Sequence, residues 1–134
     1  MESLVTDTHP FVWFATGQIR KLGKKSRAAF EAVDAGKAIL FVPGVVVLET
    51  WWLGQSGVLG FGSSLSSWWA RFEVRPNFVV EPILVQDIYV AAELDWKHRD
   101  TMDRILVAAA LRLGVPLASN DSEIARWGGV PLLW

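Results

Sequence analysis

Short apolar segments alternate with longer helical segments along this chain, and that alternation most limits the folds it can adopt. The predicted strands are residues 3–6, 38–42, 78–80 and 117–119, with a last strand at 131–134. Between them, apolar residues recur at helical spacing, and glycine or proline follows several of the helical stretches. Strand–helix alternation favours a parallel sheet with helices on both faces. We therefore predict an α/β fold with a central, mainly parallel sheet of about four to five strands.

The helices are predicted from apolar spacing and from the residues at their boundaries. They are residues 11–16, 26–35, 45–53, 66–72, 86–94, 102–113 and 122–127. Ser26 is expected to cap the second of these helices, and Gly114 is expected to end the longest one. The glycine- and serine-rich stretch 54–67 is interpreted as a loop between two helices. We expect residues 1–134 to form one domain.

Composition excludes several classes of protein. The chain has 134 residues, of which 51% are hydrophobic, so a buried core is possible without covalent staples. It has no cysteine, which excludes disulfides, thiolate metal sites and a cysteine nucleophile. We expect no signal peptide and no membrane span, because the first residues lack a basic and an apolar region and the apolar runs are short. A cytoplasmic location is therefore expected.

Four carboxylates lie close to the ends of predicted strands or the starts of helices. Asp7 directly follows the first strand, and Asp121 follows the fourth. Glu49 lies on the helix after the second strand, and Asp103 opens the longest helix. Because ligands of open parallel sheets bind beyond the carboxyl ends of the strands, these acids are expected to share one crevice. Converging carboxylates repel one another unless cations bind or pKa values rise, and oxygen ligands suit Mg²⁺ or Mn²⁺.

Each acid also has a purely structural interpretation. Asp100 and Asp103 have the spacing of a helix cap and its partner, and acidic residues favour helix N-termini in general. Asp121 could cap the helix that follows it, and Asp7 could begin a turn. Glu49 fits a structural role less well, because it lies among Val and Trp residues where an unpaired carboxylate would be costly. The residues alone leave both interpretations open.

Histidines and basic residues form a second set of candidates. His9 and His98 do not have metal-ligand spacing, and structural or substrate-contacting roles are expected for them. The densest basic stretch contains Arg20, Lys21, Lys24, Lys25 and Arg27. Such a stretch is usually a solvated surface, but beside an acidic metal site it could hold an RNA backbone.

Taken together, these residues resemble a known family. The resemblance is carried by Thr6-Asp7-Thr8-His9, by a helix containing Glu49, by His98-Arg99-Asp100-Thr101-Met102-Asp103-Arg104, by Ser119-Asn120-Asp121, and by the terminal Val130-Pro131-Leu132-Leu133-Trp134. In order and spacing these segments resemble PIN-domain ribonucleases and, more narrowly, the VapC-type toxins of toxin–antitoxin modules. The resemblance covers essentially the whole chain. It implies a three-layer α/β/α fold around a central parallel sheet.

The resemblance also implies endoribonuclease activity with Mg²⁺ or Mn²⁺, an RNA substrate and a cognate antitoxin. The residues that it assigns to metal and catalysis are Asp7, Glu49, Asp103 and Asp121, with Asp100 as an accessory acid. Two features depart from the family pattern. Thr101-Met102 stands where Pro-Phe is common in the His-Arg-Asp-x-x-Asp-Arg subgroup, and the region of Glu49 is unusually rich in Val and Trp.

Two other functions remain open on the sequence. A receiver-like or other Mg²⁺-dependent phosphoryl-transfer domain also has acids at strand ends. It normally needs a lysine near the end of its last strand, whereas no cation follows Arg126. A non-catalytic PIN-like interaction module would instead use a Trp-rich surface. Because the chain has 8 Trp residues, we expect a homodimer that binds an antitoxin helix in an apolar groove near Trp51-Trp52 and Trp68-Trp69.

Overall fold

The chain folds around one parallel sheet. A computed structural model describes residues 2–62 and 64–134. The strands of this part of the chain are β1 (Glu2–Thr6), β2 (Ala38–Pro43), β3 (Phe78–Glu81), β4 (Leu117–Ala118) and β5 (Leu132–Leu133). They pair in the order β3-β2-β1-β4-β5, and every pair is parallel. All their carboxyl ends therefore lie along one edge of the sheet, with β1 in the centre.

Helices connect successive strands, as the alternation predicted. They are α1 (Thr8–Ala15), α2 (Lys24–Asp34), α3 (Gly44–Gln55), α4 (Leu65–Glu73), α5 (Val85–Glu93), α6 (Thr101–Leu113) and α7 (Ser122–Trp127), with a short 3-10 helix at Ile19–Lys21. The predicted three-layer α/β/α fold is confirmed. Within residues 2–62 and 64–134, no helix is both long and apolar enough to cross a membrane.

Several predicted boundaries were wrong. The first helix, predicted at residues 11–16, spans Thr8–Ala15. Ser26 does not cap a helix, because α2 begins at Lys24 and Gly23 occupies the capping position. The hydroxyl of Ser26 is buried and donates to the carbonyl of Gly23 at 3.1 Å. The loop predicted at 54–67 is shorter, because α3 continues to Gln55 and α4 begins at Leu65. Gly114 ends α6 as predicted, with a φ of 67° that favours glycine.

An aromatic cluster packs α1 against α4. Phe11 is fully buried, and its ring stacks on that of Trp69 with centroids 5.0 Å apart. Trp68 and Phe72 contact the same ring edge-on, at 6.2 Å and 5.4 Å. The expectation that Trp68 and Trp69 line an exposed groove was therefore wrong, because only 4% and 3% of their surfaces are accessible. The apolar face of α4 is used to build the core.

The other tryptophan pair is exposed. Trp51 and Trp52 lie on α3, with 45% and 65% of their surfaces accessible. They border a cavity of about 370 Å³ together with Leu48, Gln55 and Met102. An apolar surface on α3 therefore exists, and the cavity beside both exposed tryptophans has no residue of α4 in its wall.

The two tryptophan pairs should differ sharply in their effect on stability. Trp69→Ala is expected to lower the free energy of unfolding by about 3–5 kcal/mol, because it leaves a cavity beside Phe11. Trp52→Ala is expected to change it by no more than about 0.5 kcal/mol, because the side chain is largely solvated. Urea unfolding followed by circular dichroism measures both. Equal losses in the two variants would contradict the assignment of Trp69 to the core.

Candidate metal centre

The first acid of the site joins the ends of two neighbouring strands. Asp7 follows β1 and caps α1, where its Oδ1 accepts a hydrogen bond from the backbone N–H of Thr8 at 2.7 Å. Its Oδ2 accepts from the hydroxyl of Ser119 at 2.7 Å. Ser119 directly follows β4, which pairs with β1. The hydroxyl thus fixes the carboxylate at the carboxyl edge of the two central strands.

Ser119 is a site residue whose role the sequence did not reveal. Its side chain is buried, and its oxygen also accepts a hydrogen bond from the backbone N–H of Asp121 at 3.1 Å. One hydroxyl therefore connects Asp7 with Asp121. The available signal was its place directly after a predicted strand and within the Ser119-Asn120-Asp121 motif.

A second group of candidate ligands lies at the start of α6. Asp100 caps this helix, and its Oδ1 accepts from the backbone N–H groups of Met102 at 3.0 Å and Asp103 at 3.1 Å. A hydrogen bond of 2.7 Å joins Nε2 of His98 with Oδ2 of Asp103. One ligand atom from each of His98, Asp100 and Asp103 lies within 4.8 Å of the others, the only such set among the described residues. Sequence spacing had not singled out His98 as part of it.

The loop that carries His98 is held in place by one arginine and an aromatic stack. The guanidinium of Arg104 donates to the backbone carbonyls of Ala91, Leu94, Trp96 and His98, at distances of 2.6–3.0 Å. The ring of His98 stacks on Trp96, and Trp96 stacks on Trp127, with centroids 4.7 Å and 4.9 Å apart. The loop therefore holds the imidazole of His98 in a fixed position beside Asp103.

Capping uses only one carboxylate oxygen of Asp100 and of Asp121. Asp121 caps α7, and its Oδ1 accepts from the N–H groups of Glu123 at 2.8 Å and Ile124 at 3.0 Å. The structural interpretation of Asp100 and Asp121 as helix caps is thus confirmed, whereas Asp7, expected to begin a turn, also caps a helix. In the two described ranges, no protein hydrogen bond reaches Oδ2 of Asp100 or Asp121. These oxygens remain available for a ligand.

The acids repel one another across the crevice. Burial, followed by the charges of Asp7 and Asp103, raises the pKa of Glu49 to about 7. Burial also raises the pKa of Asp103, despite the opposing hydrogen bond from His98. It raises the pKa of Asp7 as well, where the bond from Ser119 offsets part of the effect and the charge of Asp121 adds to it. A nearby positive charge would relieve this repulsion.

The residues present fit a divalent cation. The predicted ligands Asp7, Glu49 and Asp121 interact electrostatically with Asp103, but they lie outside the closely spaced set of His98, Asp100 and Asp103. The donors are mainly carboxylate oxygens, which suit Mg²⁺ or Mn²⁺. The uncompensated negative charge of the cluster and the available oxygens both favour such an ion.

Two pockets open beside the acids. The first, of about 240 Å³, is lined by Thr8, His9, Glu49, Trp52, Leu53 and Ser56. The second, of about 310 Å³, is lined by Asp7, His9, Pro10, Trp13, Asn120 and Asp121. His9 belongs to both pockets, and each pocket has at least one of the acids in its wall. The acidic crevice is therefore open to a ligand larger than an ion.

Neutralising Glu49 should stabilise the metal-free protein in a pH-dependent way. Because its pKa rises from 4.5 to about 7 on folding, ionised Glu49 destabilises the fold above pH 4.5, and the cost is complete above about pH 7. In EDTA, Glu49→Gln should therefore gain about 1–2 kcal/mol at alkaline pH after allowance for solvent screening. The gain should shrink on acidification and vanish below the unfolded pKa.

Urea unfolding at several pH values measures this gain. The matched control is Glu73→Gln, an exposed glutamate at the end of α4, which should change stability little at any pH. A Glu49→Gln gain that is independent of pH, or a loss at alkaline pH, would contradict the repulsion described above.

Comparisons with known proteins agree with this architecture. The structure of VapBC2 from Rickettsia felis bound to a DNA fragment from its promoter matches with a TM-score of 0.67 at 12% identity, over 97% of this chain and 96% of that chain. VapC20 from Mycobacterium tuberculosis, a toxin that cleaves the sarcin–ricin loop, matches with a TM-score of 0.62 at 18% identity, over 98% and 99%. No curated protein matches significantly in sequence. The PIN domain model matches residues 4–130, and the chain therefore belongs to the PIN domain family.

Proposed function

We propose that this chain is a metal-dependent endoribonuclease, the toxin of a toxin–antitoxin module, formed by one PIN-like domain over residues 1–134. The observation that carries the proposal is the convergence of five carboxylates at the carboxyl edge of a PIN fold. The likeness in fold to VapC20, a toxin that cleaves the sarcin–ricin loop, supports RNA as the substrate. Membership of the PIN family favours this function over a receiver-like phosphoryl-transfer domain.

Asp7, Glu49 and Asp103 would hold a Mg²⁺ or Mn²⁺ ion, with Asp121 as a fourth acid and Asp100 as an accessory one. The bound ion supplies an activated water and stabilises negative charge that develops on the scissile phosphate. The protein's contribution is to keep the ligand oxygens oriented before the substrate arrives. Ser119 does this for Asp7, and His98 does it for Asp103.

His98 also adds positive charge to the cluster when its imidazole is protonated. Its pKa is raised, first by the hydrogen bond to Asp103 and further by the charges of Asp103, Asp121 and Asp100. A protonated imidazole offsets part of the carboxylate repulsion. The loop held by Arg104 fits this role, because the charge offsets the repulsion only if the ring stays beside Asp103.

The proposed partners are an RNA substrate, a cognate antitoxin and a second copy of the chain, all in the cytoplasm. The exposed groove of Trp51, Trp52 and Met102 suits an antitoxin helix, because Met102 precedes Asp103 and a bound peptide could place a cation near the acids. The likeness in fold to VapBC2, a complex bound to promoter DNA, supports such a partner. The exposed apolar face of α5, which includes Ile88 and Tyr89, suits the second copy.

The homodimer can be tested by sedimentation across a range of concentrations. Ile88→Asp is expected to weaken dimerisation by about 10-fold or more, because it places a charge in the apolar α5 interface. Val74→Asp is the matched control, since Val74 is 78% exposed and follows α4 rather than α5. A wild-type protein that stays monomeric at high concentration, or equal effects of the two variants, would contradict the α5 dimer.

The nuclease activity can be tested with single-stranded RNA. Cleavage should be abolished by EDTA and restored by Mg²⁺ or Mn²⁺, and it should leave 5′-phosphate and 3′-hydroxyl ends because water is the nucleophile. Asp103→Asn should lower the rate by about 100-fold or more while the protein stays folded. Asp95→Asn, an exposed aspartate in the loop before α6, should retain activity. Cleavage that persists after complete chelation would rule out the metal mechanism.

A further inference from the structure

We propose that the two pockets on either side of His9 are nucleobase subsites, which bind the two nucleotides that flank the cleaved phosphate of single-stranded RNA. This inference rests on the proposed ribonuclease function. It adds a mode of substrate binding in which two tryptophan side chains, rather than basic residues, hold the RNA at the acids. The pockets are named below after their tryptophans, as the Trp52 pocket and the Trp13 pocket.

The Trp52 pocket lies between α1 and α3. Glu49 and Trp52 are three residues apart on α3, so they lie on the same face of the helix. Both line the pocket, and His9 forms part of its other wall. With 65% of its surface accessible, the indole of Trp52 offers an open aromatic face one helical turn from an acid of the site.

The Trp13 pocket lies between α1 and the connection from β4 to α7. Its walls contain Asp7 and Asp121 as well as Trp13 and His9. The indole of Trp13 is held in place by the rings of His9 and Trp134, at centroid distances of 5.9 Å and 6.1 Å. A fixed aromatic plane binds a base with little loss of side-chain entropy.

The positions of the pockets fit two successive nucleotides. Each pocket combines an indole with at least one acid of the candidate metal centre, and the exposed His9 is shared between them. A phosphate between two bases bound in these pockets would lie beside the acids. Bases separated in this way cannot remain stacked in a duplex, so the arrangement selects single-stranded RNA.

Charge explains why stacking is needed here. Proteins usually bind RNA through Lys and Arg contacts to phosphates, but this chain has a net charge of −1 and its active crevice is lined by carboxylates. Stacking of bases on aromatic side chains does not depend on positive charge. A basic residue lies next to Trp13, because Nζ of Lys21 is over the Trp13 ring at 5.9 Å from its centroid. Lys21 can receive the next phosphate along the strand.

The test uses RNA binding by the Asp103→Asn protein in Mg²⁺, so that cleavage does not interfere. The probe is a fluorescein-labelled, mixed-sequence single-stranded RNA of about 10 nucleotides, and anisotropy gives its Kd. Adding Trp52→Ala or Trp13→Leu is expected to raise the Kd about 10-fold each. Trp51→Ala is the matched control, because Trp51 is an exposed tryptophan of the same helix that lines neither pocket.

Two further comparisons separate base stacking from other effects. Trp13→Phe should restore most of the affinity lost in Trp13→Leu, because it returns an aromatic plane. With a probe of the same length that carries abasic sites, the effects of Trp52→Ala and Trp13→Leu should disappear. Lys21→Gln should weaken binding of both probes, since it contacts phosphate, whereas Lys37→Gln should not, because Lys37 lies before β2 at the opposite edge of the sheet.

The outcomes distinguish the inference from the function on which it rests. If the wild-type protein cleaves RNA but Trp52→Ala and Trp13→Leu bind no worse than Trp51→Ala, the subsites are wrong and the ribonuclease proposal stands. Equal losses for Trp51→Ala and Trp52→Ala, or losses that persist with the abasic probe, would also overturn the subsites. A wild-type protein that neither binds nor cleaves RNA overturns both proposals.

Discussion

Repulsion among five carboxylates is the constraint on which the rest of this structure depends. Asp7, Glu49 and Asp103 all have raised pKa values, first because of burial and then because of the neighbouring acids. A fold that gathers such charges must stabilise them by other means. Three of the acids accept hydrogen bonds from the N-termini of helices, where the partial positive charge of the backbone favours anions. The remaining repulsion is what a bound cation would remove.

The sheet explains how residues far apart in sequence reach this crevice. β1 is the central strand, and β4 pairs directly with it, so Asp7 and Ser119 emerge side by side although 112 positions separate them. The start of α6, which supplies the third part of the site, is positioned in a different way. Arg104 donates hydrogen bonds to backbone carbonyls of the preceding loop and so sets the position of His98 beside Asp103. The site therefore combines strand ends, which are rigid by pairing, with one loop that is rigid by hydrogen bonding.

The sequence predicted the strands, the helices and the clustering of acids, because those follow from local periodicity and from the rule that parallel strands end at one edge. It did not predict contacts that depend on tertiary packing. Trp68 and Trp69 carry no local sign of burial, and their place in the core depends on packing against Phe11 of another helix. The hydrogen bonds of Ser119 and His98 to the acids were missed for the same reason. The local sequence pattern also does not contain the three-dimensional geometry that decides which acids can share an ion.

Helix capping and metal binding had been treated as alternatives for these aspartates, and the geometry shows that they are compatible. A carboxylate has two oxygens, and in Asp121 one of them accepts from two backbone N–H groups while the other accepts no protein hydrogen bond in the described ranges. Capping immobilises the side chain without using its second oxygen. Capping thereby orients the second oxygen, and an ion that binds it causes a smaller loss of side-chain entropy. An aspartate at the start of a helix, at the carboxyl edge of a parallel sheet, is consequently well placed for a metal site because it is a cap.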